Sequence, residues 1–266
     1  MMTWRVLQYI RHSFHQRHRK GHGIHSPYIF EFVNGVLFNG RGKQVPMQVH
    51  RVHASMRKDC TLIPVEGPAG FGAGSKFGPR SDTLSISSFV KKSSVSRKYG
   101  ALLYRISDWF APEVIVELGG GLGISAMYLA AGSPGARMMS VEGRKMRAVI
   151  AKQVLHRSKL NHVEIIEGDI ERILPDLLPR ISARLLAFLD GNHRYRPTIG
   201  YVRNLMDAAG DEAVIILDDI YWSREMHEAW KELLNWPEVR VSIDLFHMGV
   251  LLLRRDLAKE RLKIKF

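Results

Sequence analysis

Cysteine is almost absent: Cys60 is the single one in 266 residues. An internal disulfide is therefore excluded, and no Cys or His stands near it at zinc-binding spacing. A lone thiol suits a reducing compartment, so the expectation is a cytoplasmic protein. No run of about 18 apolar residues occurs, so no stretch reads as a transmembrane helix. Acid is missing from one end, since residues 1–30 hold no Asp or Glu. Residues 1–100 carry 16 Lys+Arg against 4 Asp+Glu, whereas residues 101–266 carry 23 against 22. The net charge of +13 thus sits almost wholly in the first hundred residues. That asymmetry fits nucleic acid, an anionic lipid surface, an acidic substrate or a merely solvated face. The start is Arg-rich and acid-poor like an organellar presequence, but it is not Ser-rich and has no secretory apolar core.

What is present begins with Trp4, Leu7, Ile10 and Phe14 at helical spacing, set among Arg5, Arg11, His12, His15, Arg17, His18, Arg19 and Lys20. This predicts a basic amphipathic helix ending at Gly21, docked on the body of the protein or on a surface. Five of the twelve histidines precede residue 26, yet none pairs at i, i+4 with a carboxylate or cysteine partner, so a metal site there is disfavoured. Residues 66–80 are the most Gly/Pro-rich stretch and include Phe71 and Phe77. They read as a linker or as a lid over a ligand site. The expected division is a basic extension over 1–97, capping the substrate, and a catalytic domain over 98–266.

The chain is organised around residues 113–125. Val114–Leu118 is a buried-type β-branched run, Gly119, Gly121 and Gly123 follow at alternate positions, and Ile124–Ala130 reads as a helix. A strand running through glycines into a helix predicts free backbone N–H groups at the tip, as at a nucleotide-type cofactor loop. It is not the dinucleotide fingerprint, because Ile124 falls where the third glycine of Gly-x-Gly-x-x-Gly belongs. Further strands are expected at 137–142, 163–166, 185–190, 213–217, 239–244 and 248–253, with helices between most of them. Strand alternating with helix predicts a doubly wound, mostly parallel α/β sheet with its ligands at the carboxyl ends of the strands. Glu117, Glu142, Asp169, Asp190, Asp218 and Asp219 all fall at such ends.

The Glu-x-Gly-x-Gly-x-Gly pattern of Glu117–Gly123 resembles the first motif of class I S-adenosylmethionine (SAM) dependent methyltransferases. The resemblance implies a seven-stranded Rossmann-like sheet with a terminal antiparallel strand. It also implies that Glu117, Gly119, Gly121 and Gly123 hold SAM, Glu142 its ribose and Asp169 its adenine, with Asp190 also at the cofactor. Lys98–Leu103 resembles the lead-in of the small O-methyltransferases related to catechol O-methyltransferase. In those enzymes an Asp after the fourth strand and an Asp-Asn pair after the fifth hold a divalent metal such as Mg²⁺. The matching positions are Asp190, Asp218 and Asp219, the last in place of Asn. Where that family has a lysine base, this chain has His193, and Asp190-Gly-Asn-His193 looks like the Asp-Gly-x-His branch of methyltransferases. The implied reaction is O-methylation of a small-molecule hydroxyl, with His193 as base and Asp190 beside it. Alternatives are an RNA or protein methyltransferase that uses the basic first hundred residues, and a SAM-binding protein without turnover. An aminopropyl transferase is disfavoured, because Gly120–Gly123 contains no acid. The oligomeric state stays open, a homodimer included.

Overall fold

The structure, a computed structural model, describes residues 2–14, 24, 26–38, 44–65, 83–181, 184–209 and 212–266. The Gly/Pro-rich stretch 66–80 and the basic residues 15–23 lie outside these. The chain forms two compact units, residues 1–42 with 178–266, and residues 43–177. In chain order the first opens with α1 (Met2–Phe14) and α2 (Pro27–Glu31), the latter continuing as a π-helical stretch over Phe32–Phe38. Ser26 caps α2 by accepting from the Ile29 amide, and Pro27 at the first helical position has no N–H to leave unpaired.

The second unit comprises α3 (Met47–Met56), the antiparallel pair β1 (Leu62–Pro64) and β2 (Thr83–Ser85), α4 (Ile86–Ser93) and α5 (Arg97–Phe110). A βαβαβα run follows: β3 (Val114–Leu118), α6 (Ile124–Gly132), β4 (Arg137–Glu142), α7 (Lys145–Arg157), β5 (Glu164–Glu167) and α8 (Ile170–Leu177). β3 pairs parallel with β4 and β4 with β5, in a register that aligns Glu117 with Ser140 and Glu142 with Glu167. All five residues of β3 are buried, as expected of a central parallel strand. Helices α5 and α6 approach through small residues. A Cβ on Gly100 would lie 2.4 Å from the Tyr128 ring, and one on Gly132 would lie 2.4 Å from the Tyr104 carbonyl.

The first unit resumes with β6 (Arg184–Leu189), α9 (Tyr195–Ala209), β7 (Glu212–Asp218), α10 (Arg224–Leu233), β8 (Val241–Asp244), β9 (Met248–Leu252) and β10 (Glu260–Lys263). Its strand order is β10-β8-β9-β7-β6. β6 and β7 run parallel, β9 is antiparallel to both β7 and β8, and β10 returns parallel to β8. The mostly parallel sheet with a terminal antiparallel strand is therefore present, and β10 adds a strand that the sequence pattern did not announce. Glu260-Arg-Leu-Lys263 alternates exposed and buried only at Leu262, which is too short a signal for a periodicity argument.

The face that α1 turns inward is not the expected apolar one. Trp4 meets the His227 ring edge-on at 5.8 Å, but Leu7, Ile10 and Phe14 are exposed, Phe14 to 83%. The residues that dock are polar, an arginine and a histidine. Arg5 Nη2 lies 2.9 Å from Asp219 Oδ1, and buried His12 Nε2 lies 3.0 Å from Asp244 Oδ1. Positions 5 and 12 are two turns apart and share a face. Asp244 also accepts from the Tyr221 hydroxyl at 2.7 Å and from the Phe246 amide at 2.9 Å. Burial alone would raise the Asp244 carboxyl, but the hydrogen bond and charge of His12, helped by these donors, hold it below the usual range. Specific ion pairing has thus overridden apolar periodicity.

In the second unit, buried His53 shares a 3.0 Å hydrogen bond with the Tyr128 hydroxyl. Burial lowers its pKa to about 4 and lifts that of Tyr128 to about 12. Because the folded pKa lies below the unfolded one, the unfolded state binds the proton first as pH falls. Stability should be intact above the ordinary histidine range and should decline by roughly 2 kcal/mol between pH 6.5 and 4. Urea midpoints across that window check this, and His53→Phe should flatten the decline.

Candidate active site

The glycine turn after β3 has the backbone that its sequence demands. Gly119, Gly121 and Gly123 take φ of 101°, 53° and 79°, and Gly123 caps α6. At Gly123 a Cβ would also sit 3.0 Å from the Ala151 backbone. The expected free amides are not what the turn offers. Gly119 and Gly120 both donate to the Val141 carbonyl at 2.9 Å, Gly121 to Glu142 Oε2 at 2.7 Å and Gly123 to the Gly120 carbonyl at 2.8 Å. A loop whose amides are spent on its own strand ends is a poor phosphate cradle, which requires N–H groups pointing outward.

Two buried carboxylates lie beside this turn. Glu117 is fully buried within β3 and accepts from the Ser140 hydroxyl of the adjacent strand. Glu142, also buried, uses Oε2 for Gly121 and accepts the Arg144 amide on Oε1 at 2.9 Å. Burial raises the Glu142 carboxyl, offset in part by Arg147 and by those two amides. The expected ribose acid is therefore also the clamp that holds the glycine turn against β4. Asp169 stands exposed at the start of α8, where its Oδ1 accepts the Glu171 amide at 2.9 Å. The tip of the turn stays open, because a Cβ on Gly121 would meet only Phe89 at 3.8 Å. A turn whose amides are spent in this way lacks the outward N–H donors that a phosphate requires.

The other predicted residues belong to the first unit. Asp190 follows β6 and Asp218 ends β7, and the parallel register of these strands brings both to one edge. Asp190 Oδ1 lies 3.4 Å from His193 Nε2. Burial raises the Asp190 carboxyl, while His193 pulls it back. Burial disfavours a charged His193, yet the hydrogen bond and charge of Asp190 outweigh this and raise its pKa. Asp218 is pushed well above the carboxylate range by burial and by the neighbouring charges of Asp190 and Asp219. Asp219 has left-handed backbone (φ 52°), donates its amide to the His247 carbonyl at 2.6 Å, and turns its carboxylate to Arg5.

These residues do not fit a divalent ion as they stand. Asp219 is taken by a guanidinium, Asp190 by an imidazole, and no group of three or more metal-ligating side chains with suitable geometry exists among the described residues. Mg²⁺ requires near-octahedral oxygen ligands. Sequence reading missed Arg5 and Ser140. A serine inside the apolar run Met138–Val141 was a visible signal, whereas nothing near Arg5 marks it out from the other cations of α1.

Residues 116–220 match the family model described as a methyltransferase domain. Over those residues the chain is similar to a methyltransferase domain. It is 33% identical over 81 residues to a protein called transmembrane O-methyltransferase homolog in rat, and equally to the mouse protein. That match spans 29% of this chain and 31% of the relative's length, so the chain covers about a third of the curated relatives it matches. Among solved structures, an O-methyltransferase from Bacillus cereus in complex with SAH superposes with a TM-score of 0.56 at 17% identity, covering 85% of this chain and 97% of the other. An SAH-bound methyltransferase from Podospora anserina gives 0.58 at 16% identity, covering 82% and 92%. At such identities the methyltransferase domain shares their fold. No helix among the described residues is long and apolar enough to cross a membrane.

The clamp makes a prediction that a ligand contact alone would not. Glu142→Ala leaves the Gly121 and Arg144 amides without their acceptor and should cost about 2–5 kcal/mol of unfolding free energy. Glu142→Gln, which keeps one acceptor oxygen, should cost distinctly less. Urea denaturation compares the two; wild-type stability in Glu142→Ala would remove the clamp.

Proposed function

We propose that the chain is a SAM-dependent methyltransferase acting on the hydroxyl of a small molecule. The observation that carries this reading is the glycine turn in the stretch similar to a methyltransferase domain, whose amides are committed internally and beside which lie two buried carboxylates. Glu117, Gly119, Gly121, Gly123 and Glu142 would hold the cofactor, with Asp169 at the adenine end. The relatives named O-methyltransferases support oxygen as the acceptor atom.

When bound, SAM supplies a methyl on a sulfonium: the acceptor oxygen bonds to that carbon, the C–S bond breaks, and its electron pair stays on sulfur. The protein has to align the acceptor and receive its proton. His193 is assigned the proton. Its Nε2 faces Asp190, so Nδ1 is the nitrogen that accepts, and Asp190 steadies the imidazolium that forms. A form in which a divalent ion on Asp190, Asp218 and Asp219 orients the hydroxyl requires the Arg5–Asp219 pair to open.

The test is release of S-adenosylhomocysteine from SAM with a panel of phenolic and other hydroxyl acceptors. His193→Ala should lower turnover by about 10²–10⁴-fold while SAM affinity, read by calorimetry, is unchanged. Unaltered turnover in that variant would remove His193 as base. Turnover lost on chelation and restored by Mg²⁺ would select the metal form. Salt-sensitive RNA retention with transfer to RNA would replace the small-molecule acceptor. SAM binding with no product from any pool would reduce the protein to a binder.

A further inference from the structure

The carboxylate cluster after β6 and β7 poses an electrostatic problem that the chain solves with its own N-terminal helix. Three acids at adjacent strand ends repel one another unless protons or cations intervene. A divalent ion is one answer, but here another group already occupies the position. Arg5 Nη2 lies 2.9 Å from Asp219 Oδ1 and 3.4 Å from His247 Nδ1, and its guanidinium sits over the Trp222 ring at 5.2 Å from the centroid. An ion pair between two mobile surface side chains would be worth little. This one is built on both sides. Asp219 is held by its own amide on the His247 carbonyl and by its carbonyl, which accepts the Trp222 amide at 2.7 Å. Arg5 is held by the rest of α1, which is anchored seven residues on by the buried His12–Asp244 pair and at Trp4 by the edge of His227. The exposure of Leu7, Ile10 and Phe14 shows that apolar burial is not what seats this helix.

We propose that Arg5 is the resident cation of this cluster: carried in by α1, it closes Asp219 to divalent ions, and removing it opens a divalent-ion site on Asp190, Asp218 and Asp219. Guanidinium suits the task, being charged at every relevant pH and offering a rigid fork of donors to a carboxylate. Unlike a bound ion it is not lost to chelators. Asp190 is paired with His193, and Asp218 is left as the one acid of the three with no ion pair among the described residues. The role of this cluster in methyl transfer rests on the reading above, but its occupancy does not.

The experiment therefore measures ion binding rather than turnover. The full chain, stripped with chelator and dialysed, is titrated with Mn²⁺ while the electron paramagnetic resonance signal of the free aqua ion is followed. Wild type should show no saturable uptake. Arg5→Ala should remove one equivalent of free Mn²⁺ per chain, and adding Asp219→Asn should abolish that uptake. Arg5→Lys, which keeps a cation on a stem, should leave the site closed. Trp fluorescence and circular dichroism confirm that the variants stay folded, and Arg5→Gln repeats the test should Arg5→Ala unfold. Saturable, Asp219-dependent binding by wild type would overturn the proposal, as would a folded Arg5→Ala and Arg5→Gln that both bind no ion. Failure of the methyl-transfer reading would leave these outcomes unchanged, so the two are separable.

Discussion

Taking a carboxylate out of water costs several kcal/mol unless hydrogen bonds or opposite charge replace the lost hydration. This fold places one acid after another at the carboxyl ends of its strands, so the structure depends on how each is answered. In the unit over 43–177 the hydrogen-bond donors are neutral groups, with the charge of Arg147 added near Glu142. The Ser140 hydroxyl serves Glu117, the Gly121 and Arg144 amides serve Glu142, and the Glu171 amide serves Asp169. In the other unit they are imidazole and guanidinium groups: His193 for Asp190, Arg5 for Asp219 and His12 for Asp244. The difference matters chemically. Hydrogen-bond donors without charge leave the first set of acids as the negative centres of their unit, whereas imidazole and guanidinium set positive groups against Asp190 and Asp219.

The same accounting explains α1. A helix with no acid and several cations docks where Arg5 meets Asp219 and His12 meets Asp244. The apolar residues of α1 are left outside by that choice.

Much of the fold was legible because its signals are local. Val114–Leu118 and Arg137–Glu142 are apolar runs bounded by turns, and the observed strands carry those same limits. Helices occupy the intervals between strands where they were expected, Ile124–Gly132 against an expected Ile124–Ala130. The glycine turn was legible as a turn, since alternate glycines have few other uses, but where its amides point is a tertiary fact: the partners Val141 and Glu142 arrive from the neighbouring strand. Likewise Asp190 and His193 are three residues apart and could be read together, while Arg5 and Asp219 are separated by 214 positions and no spacing connects them. β10 was missed because one buried leucine in four residues makes no pattern. The unit boundaries near residues 42 and 178 were also invisible, since no composition shift marks them.

The glycine turn and its carboxylates are proposed as a site for a cationic cofactor, so direct binding of SAM to the full chain is the measurement that reaches it. Calorimetric titration of the folded protein should show one saturable site per chain for SAM and for S-adenosylhomocysteine, and none for NAD⁺. A chain that is folded by circular dichroism but takes up neither SAM nor S-adenosylhomocysteine, or that prefers the dinucleotide, would contradict it.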